Sequence, residues 1–234
     1  MKTISKYCIR LLLLFFIVSP LAGQEGRIKG LRIGYDLSRL PVSYLPLIDS
    51  TRKAFEISAD FEVKPKYYAV FEYGQQQVNF TNDLYEYSSD GYYWRTGFDY
   101  NFLRKKLTVK QYEMVFMGLR FAHASYSHSA SNLYIADNYW GDVIIENYGP
   151  INLSANWIEI AGGIRGELFK NCFIGWSFRA RLMMSQKRDD TLIPYYIPGF
   201  GAGDRKARIG FNYYIYYRIP LYKVKAKEKA ETEP

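Results

Sequence analysis

The stretch from Asn156 to Leu182 reads NWIEIAGGIRGELFKNCFIGWSFRARL, and its alternation decides the fold. It predicts two long strands joined by a tight turn at residues 169–171. Because successive side chains of a strand point to opposite faces, each strand has one uncharged, mostly apolar face and one charged face. The charged face carries Glu159, Arg165, Glu167, Arg179 and Arg181. A soluble sandwich would bury the apolar face, whereas a transmembrane barrel would turn it towards lipid and enclose the charges.

The same alternation recurs along the rest of the chain and predicts eight strands. We place them at about residues 30–40, 54–63, 67–74, 92–102, 112–125, 156–168, 172–182 and 208–219. From residue 31 to 37 in the first strand, from 115 onwards in the fifth and throughout the other six, the face that we assign to the outside holds no Asp, Glu, Lys or Arg. A Lys or Arg there would cost about 2–4 kcal/mol at the bilayer midplane. We therefore predict an all-β fold, a single eight-stranded antiparallel transmembrane β-barrel of the outer-membrane type.

The opposite face of these strands carries charges of both signs. The acidic residues are Asp36, Glu56, Asp60, Glu62, Glu72, Asp99, Glu159 and Glu167. The basic residues are all arginines, namely Arg32, Arg95, Arg120, Arg165, Arg179, Arg181, Arg208 and Arg218. The acids lie mainly in the first four strands and the arginines mainly in the last four, so closing the sheet brings the two sets together. Since an eight-stranded barrel is narrow, we predict a lumen plugged by this charge network, with at most a thread of water.

The ends and connections of the chain fit an exported barrel. Residues 1–24 combine a basic start, an apolar run and small residues, as in a cleaved secretory signal peptide. The barrel domain is then 25–222, and the charged end at 223–234 is predicted to be a disordered tail. Connections alternate long and short, with long loops at 75–91, 126–155 and 185–206. We therefore expect both ends of the chain in the periplasm and the long loops outside the cell.

Charge and cysteine content exclude several other classes. Removing the three basic residues of the signal lowers the formal net charge from +8 to +5. This excess is modest and dispersed, so no nucleic-acid partner is expected. Cys172 stands alone after cleavage, which leaves no internal disulfide. Neither a metal site nor a cofactor fingerprint is present, so no metal and no cofactor are expected.

Four motifs carry a family resemblance. They are Trp157-Ile158-Glu159, Gly175-Trp176-Ser177, Tyr196-Ile197-Pro198-Gly199-Phe200-Gly201 and Tyr213-Tyr214-Ile215-Tyr216-Tyr217-Arg218-Ile219-Pro220. With these motifs the chain resembles a family of exported β-barrel proteins of Bacteroidota-type bacteria that is labelled a domain of unknown function. The resemblance covers most of the mature chain and implies an outer-membrane barrel. It supplies no catalytic residues.

A catalytic alternative rests on one short cluster. His123 and Ser125 share the lipid-facing side of a strand, and Asp137 follows downstream. This arrangement resembles lipid A deacylase barrels, in which a His-x-Ser pair works with an acid. The pair is short and nonspecific, and small polar residues also mark the exit of a strand into the headgroups.

The predicted role follows from the absence of a specific catalytic motif. We expect a non-enzymatic barrel of the cell outer membrane, structural or binding a surface ligand through its long loops, with outer-membrane lipids as its surroundings. The oligomeric state is left open. The alternatives are an outer-membrane lipid-modifying hydrolase and a soluble periplasmic lipocalin-like binding protein, which would have the reverse partition of charge.

Overall fold

The chain forms an all-β fold. The structure, a computed structural model, describes residues 30–39, 51–82, 85–103, 112–135, 143–187, 189 and 191–221. The long strands in these ranges are β1 (Leu31–Asp36), β2 (Arg52–Lys64), β3 (Tyr67–Thr81), β4 (Glu86–Asn101), β5 (Met114–Ile135), β6 (Val143–Phe169), β7 (Cys172–Gln186) and β10 (Ala207–Ile219). Two short strands, β8 (Tyr196–Ile197) and β9 (Gly201–Ala202), pair with each other. The predicted signal peptide and tail lie outside the described residues.

The long strands close into one antiparallel barrel in the order β1-β10-β7-β6-β5-β4-β3-β2. The first and last strands complete the ring, with Leu31 opposite Ile219 and Asp36 opposite Tyr214. The predicted fold class is therefore confirmed. We name the end of the barrel where β1 begins and β10 ends the terminal rim, and the opposite end the distal rim. Within the described ranges, no helix is long and apolar enough to cross a membrane.

The outer and inner surfaces of the barrel differ as the alternation predicts. Apolar side chains on the outside are exposed, among them Phe71 (51%), Leu119 (60%) and Ile209 (82%). The side chains that alternate with them along each strand, including the charged groups of Glu72 and Arg120, are buried inside the barrel. An exposed apolar belt of this kind is unfavourable in water and favourable in lipid, because moving apolar surface out of water lowers the free energy.

Four strands extend further beyond the distal rim than predicted. β3 runs to Thr81 before β4 begins at Glu86, and β5 runs to Ile135 before β6 begins at Val143. The predicted loops at 75–91 and 126–155 are therefore wrong over most of their length. Ser, Asn and Gln replace apolar side chains on the outer face of these extensions, so the alternation loses contrast. We name this four-stranded extension, residues 75–81, 86–92, 125–135 and 143–154, the distal sheet.

The first strand is shorter than predicted, because it ends at Asp36 and a 3-10 helix follows at Leu37–Arg39. The carboxylate of Asp36 causes this ending. Its Oδ1 accepts hydrogen bonds from the backbone N–H of Ser38 at 3.0 Å and from the Ser38 hydroxyl at 2.6 Å. Such local bonds favour a turn over a continued strand.

Tight turns at the terminal rim use residues with a left-handed backbone. Lys66 has φ 72° in the turn between β2 and β3, and Asn171 has φ 64° in the turn between β6 and β7. Asparagine tolerates this conformation better than most residues. The turn between β6 and β7 comprises residues 170–171 alone, since β6 includes Phe169. At the distal rim, β7 reaches Gln186, and the small β8–β9 hairpin occupies part of the predicted loop at 185–206.

Candidate functional site: the charged lumen and its cover

Arg95 lies at the centre of the lumen and binds three carboxylates. Its Nη1 is 2.8 Å from Oε1 of Glu56 and 2.9 Å from Oε2 of Glu72. Its Nε is 2.9 Å from Oε1 of Glu159. The three glutamates come from β2, β3 and β6, so one guanidinium joins strands on opposite sides of the barrel. The planar fork of arginine, which stays charged, suits this role.

Arg179 crosses the lumen from β7 to the same group. Its Nη1 and Nη2 donate to the two oxygens of Glu72 at 2.5 Å and 2.9 Å, a bidentate pair. Arg120 approaches from β5, with its Nε 3.3 Å from Glu72 and its Nη2 3.0 Å from Asp99. We name Glu56, Glu72, Glu159, Arg95, Arg120 and Arg179 the central network.

Neutral side chains complete the central network. The hydroxyls of Tyr93 and Tyr214 donate to Glu56, and Trp157 Nε1 donates to Glu159 at 2.7 Å. Tyr214 and Trp157 donate to oxygens that Arg95 also contacts, whereas Tyr93 donates to the other oxygen of Glu56. Buried charges need partners, because removing one partner of a buried ion pair costs about 3–5 kcal/mol.

A second cluster lies nearer the terminal rim around Asp60. Arg32 Nη2 is 2.6 Å from Oδ1 of Asp60, and Arg165 Nη1 is 2.7 Å from its Oδ2. The guanidinium of Arg165 also stacks over the ring of Tyr216, at 3.9 Å from the centroid. This carboxylate therefore holds two arginines from β1 and β6 together.

Several predicted lumen residues lie outside these two clusters. Asp36 binds Asn212 and Arg39 near the distal rim. Arg218 stacks over Tyr112, and Arg181 Nε is 3.4 Å from Glu159 at the edge of the central network. Glu62 and Glu167 are half-buried at the terminal rim, where they accept bonds from the backbone N–H groups of Lys66 and Asn171. Arg208 binds exposed Asp204 in the loop after β9.

A loop covers the distal end of the lumen, which the sequence did not indicate. Its residues Tyr196–Ala202, which we name the cover segment, bring Gly199 and Phe200 onto the central network. Arg95 Nη2 donates to the Gly199 carbonyl at 3.1 Å, and Arg181 Nη1 donates to the Phe200 carbonyl at 3.0 Å. The Phe200 ring is fully buried and meets Trp157 edge-on, with centroids 5.6 Å apart.

Gly199 allows this close approach. Its φ of 76° is left-handed. A Cβ added there would lie 2.5 Å from the ring of Tyr93. Only glycine avoids both the backbone strain and the steric clash. The motif Ile197-Pro198-Gly199-Phe200 was visible in the sequence, but nothing in it showed that the loop folds inwards.

Two of the three residues of the catalytic alternative, His123 and Ser125, lie on the outer face of β5. His123 Nδ1 contacts Asn156 Oδ1 at 2.8 Å on the outer surface, and within the described residues no hydrogen bond joins it to Ser125. Ser125 is half-buried on the same outer face, and Asp137 lies outside the described residues. Nothing in the placement of His123 and Ser125 indicates an activated nucleophile.

The other histidine makes a contact that the sequence did not predict. His128 is buried on the inner face of the distal sheet, with its Nε2 2.8 Å from Asp189 Oδ2. The Tyr148 hydroxyl donates to the other oxygen of Asp189 at 2.7 Å. Partial burial acts to raise the pKa of Asp189, but bonds from Tyr148, the Thr191 N–H and His128 outweigh it and lower that pKa. Burial also raises the pKa of neighbouring Tyr87 to about 12.

Metal-binding geometry is absent from the part of the chain that the structure describes, where no three His, Cys, Asp or Glu side chains are grouped to hold an ion.

Comparisons with known proteins give a family and a set of distant structures. The family profile "Domain of unknown function (DUF6048)" matches residues 4–224. No curated protein matches the chain. Similar solved structures include Neisserial surface protein A (NspA), at 8% identity and TM-score 0.38, covering 82% of this chain and 95% of that one. Ail, the attachment invasion locus protein of Yersinia pestis, has 11% identity and TM-score 0.38, with 81% and 97% covered. CarO of Acinetobacter baumannii has 12% identity and TM-score 0.39, with 82% and 98% covered.

Proposed function

This chain belongs to the family described as Domain of unknown function (DUF6048), and we propose that it is a non-enzymatic outer-membrane barrel that conducts no solute and presents its distal sheet to a surface ligand. The observation that carries the proposal is the double role of Arg95. It neutralises three glutamates in the lumen and also binds the Gly199 carbonyl of the cover segment. Bacteroidota as the source stays a prediction.

The outer surface supports a membrane location. Side chains such as Phe98, Leu119 and Ile160 are at least half exposed, at 62%, 60% and 55%. In water this belt would be a large apolar patch, which soluble monomers avoid. In a bilayer it faces acyl chains, and the buried charges face away from them. This partition is the reverse of what the lipocalin-like alternative requires.

The filled lumen supports a barrier to solutes. The central network spans the barrel from β3 to β7 through the Glu72–Arg179 pair. Above it, Ile197 and Phe200 are fully buried and pack with Tyr93 and Trp157 in one apolar cluster. A solute would have to displace both layers, one ionic and one apolar. We therefore expect the distal sheet, rather than the lumen, to meet partners.

The distal sheet supports a role in surface interaction. It rises beyond the barrel wall on four hydrogen-bonded strands, from Thr81 opposite Glu86 to Ile135 opposite Val143. Its inner face is filled by side chains such as Val78 and Leu153, both buried. A platform packed in this way presents its outer face without rearrangement, which lowers the entropic cost of binding.

Three measurements test the proposal. A heat-modifiability gel and membrane fractionation should place the folded protein in the outer membrane, with mobility that changes on boiling. Planar bilayers containing the barrel should then show no conductance steps. Recovery as a soluble protein without a mobility change, or steady channel currents from the wild-type barrel, would contradict it.

A further inference from the structure

A cavity of about 460 Å³ opens near the distal rim on the side of β1–β4. Its lining includes Lys53, Gln77 and Asp90. These three residues form one row across neighbouring strands, since Lys53 is opposite Gln77 and Gln77 is opposite Asp90. Their parity is outward, because they alternate with buried neighbours such as Ala54. The row therefore belongs to the outer surface of the barrel.

The two charges of this row are separated and available. Neighbouring strands lie about 4.8 Å apart, so the backbones of Lys53 and Asp90 are about 10 Å apart. Among the residues that the structure describes, the side chains of Lys53, Gln77 and Asp90 make no hydrogen bond or ion pair. Lys53 and Asp90 are exposed. A cation and a carboxylate thus face a cavity with an amide between them.

The position of the cavity relative to the belt indicates what can reach it. A row of aromatic rings lies at its lower border, with Phe55 next to Tyr73 and Tyr73 next to Tyr92, at centroid distances of 6.1 Å and 6.4 Å. Below this row the outside is apolar, as at Ile57 and Phe71. Aromatic rows mark the boundary between acyl chains and headgroups. The Lys53–Asp90 row therefore lies at the level of the headgroups.

We propose that this cavity binds a phosphoethanolamine group of a membrane lipid. Lys53 pairs with the phosphate, Asp90 accepts a hydrogen bond from the ligand ammonium, and the amide of Gln77 donates to a phosphate oxygen. The headgroup carries its two charges across a two-carbon bridge, and with a charge-assisted bond of about 2.8 Å at each end its length matches residues whose backbones are about 10 Å apart. Phe55, which also lines the cavity, contacts the apolar part of the lipid.

This inference rests on the proposed membrane location and makes a narrower claim. An anionic phosphoglycerol headgroup would satisfy Lys53 but place no cation on Asp90. An unmodified phosphorylated sugar would likewise pair with Lys53 and place no cation on Asp90. Selectivity for the ethanolamine ammonium therefore distinguishes this site from the general attraction of a lysine for phosphate.

The experiment is native mass spectrometry of the folded barrel in detergent, with phosphatidylethanolamine and phosphatidylglycerol of identical acyl chains. The wild type should retain phosphatidylethanolamine about tenfold better. Asp90→Asn should abolish the preference, and Lys53→Gln should weaken both lipids. Lys64→Gln is the matched control, because Lys64 is an exposed lysine at the other end of β2. Equal retention of both lipids by the wild type, or an equal loss with Lys64→Gln, would overturn the site.

A second set of lipids identifies the source of the group. Lipid A carrying phosphoethanolamine is compared with unmodified lipid A. Better retention of the modified form assigns the site to a glycolipid, and retention of phosphatidylethanolamine alone assigns it to a phospholipid. Retention of both forms of lipid A to the same measurable extent would overturn the proposal, because binding would then not depend on the ethanolamine ammonium. Because the barrel is assayed in detergent, failure here is separate from failure of the fractionation test, which concerns the membrane location.

Discussion

The guanidinium of Arg95 donates from Nη2 to the carbonyl oxygen of Gly199 at 3.1 Å, across 104 residues of sequence. The same side chain binds Glu56, Glu72 and Glu159. The cover segment is thus bound to the ionic layer below it as well as to the apolar cluster around Phe200. A substitution that disturbs either layer should therefore also destabilise the other.

Replacing Gly199 with alanine tests the fit of the cover segment. The new Cβ would clash with the Tyr93 ring, and the left-handed backbone costs an L residue about 1–2 kcal/mol. We expect a lower midpoint in the heat-modifiability assay and faster hydrogen exchange in residues 196–202. Gly166→Ala is the control, because a Cβ added there meets nothing within 4 Å. Equal effects of the two substitutions would contradict the role of Gly199.

The Glu72–Arg179 pair tests the central network. Arg179→Met leaves a buried carboxylate without its bidentate partner and should lower the free energy of unfolding by about 3–5 kcal/mol. Adding Glu72→Gln should recover part of this loss, since the uncompensated charge is then gone. Urea unfolding in lipid vesicles measures both variants. Arg208→Gln, which removes an ion pair with exposed Asp204, should cost less than about 1 kcal/mol. Strictly additive losses in the double variant would refute the coupling.

We expect acid to reduce the hydrogen-exchange protection of the segment that follows β7. Because the pKa of Asp189 is lowered in the folded protein, this carboxyl binds fewer protons folded than unfolded. Its contribution to stability is therefore present above the ordinary carboxyl pKa, about 3.9, and is lost as pH falls through the lowered value. Hydrogen exchange of residues 191–197, corrected for the intrinsic effect of pH, should show protection at pH 6 that weakens as the pH falls below about 4.

A substitution in the same loop separates this effect from general acid unfolding. Asp189→Asn should reduce the protection of residues 191–197 already at neutral pH, because the charged partner of His128 is lost. Asp204→Asn, at an exposed position, should leave it unchanged. Protection that survives Asp189→Asn would show that this contact does not hold the segment.

Substitution of Ser125 tests the enzymatic alternative. Since His123 contacts Asn156, we expect no fatty acid release from lipid A by the wild-type barrel, and none by Ser125→Ala. Mass spectrometry of the lipid after incubation provides the measurement. Release by the wild type that the substitution abolishes would make the barrel a lipid hydrolase.

The sequence predicts the ring of strands because every strand that crosses the apolar belt needs apolar side chains outside and polar side chains inside. Glu72 and Arg179 both fall on the inner parity, and closing the barrel places them together. Alternation cannot tell which arginine meets which acid, because that depends on register and on side-chain reach across the lumen. Arg208 illustrates this limit, since it has the same parity but binds Asp204 at the distal rim.

The sequence does not predict the distal sheet or the cover segment. Neither faces acyl chains, so contact with lipid does not impose an alternating pattern on their residues. The distal sheet carries Ser127 and Ser129 on its outer face, so its strands have the composition of a loop. The cover segment depends on contacts distant in sequence, such as Gly199 with Tyr93. Arg39 binds Glu56 from the 3-10 helix. The alternation does not predict this contact, because it extends the first strand beyond Asp36, where the strand ends.

The central network also constrains how the barrel is assembled. Glu56 and Glu72 lie on β2 and β3, whereas Arg179 and Tyr214 lie on β7 and β10. Arg95 on β4 can pair with these carboxylates early, but until the late strands arrive the rest of their pairing is missing, and lipid cannot supply it. A half-built sheet in the bilayer is therefore a high-energy species. Insertion should therefore be concerted, with the sheet curled around its charges before it enters the hydrocarbon.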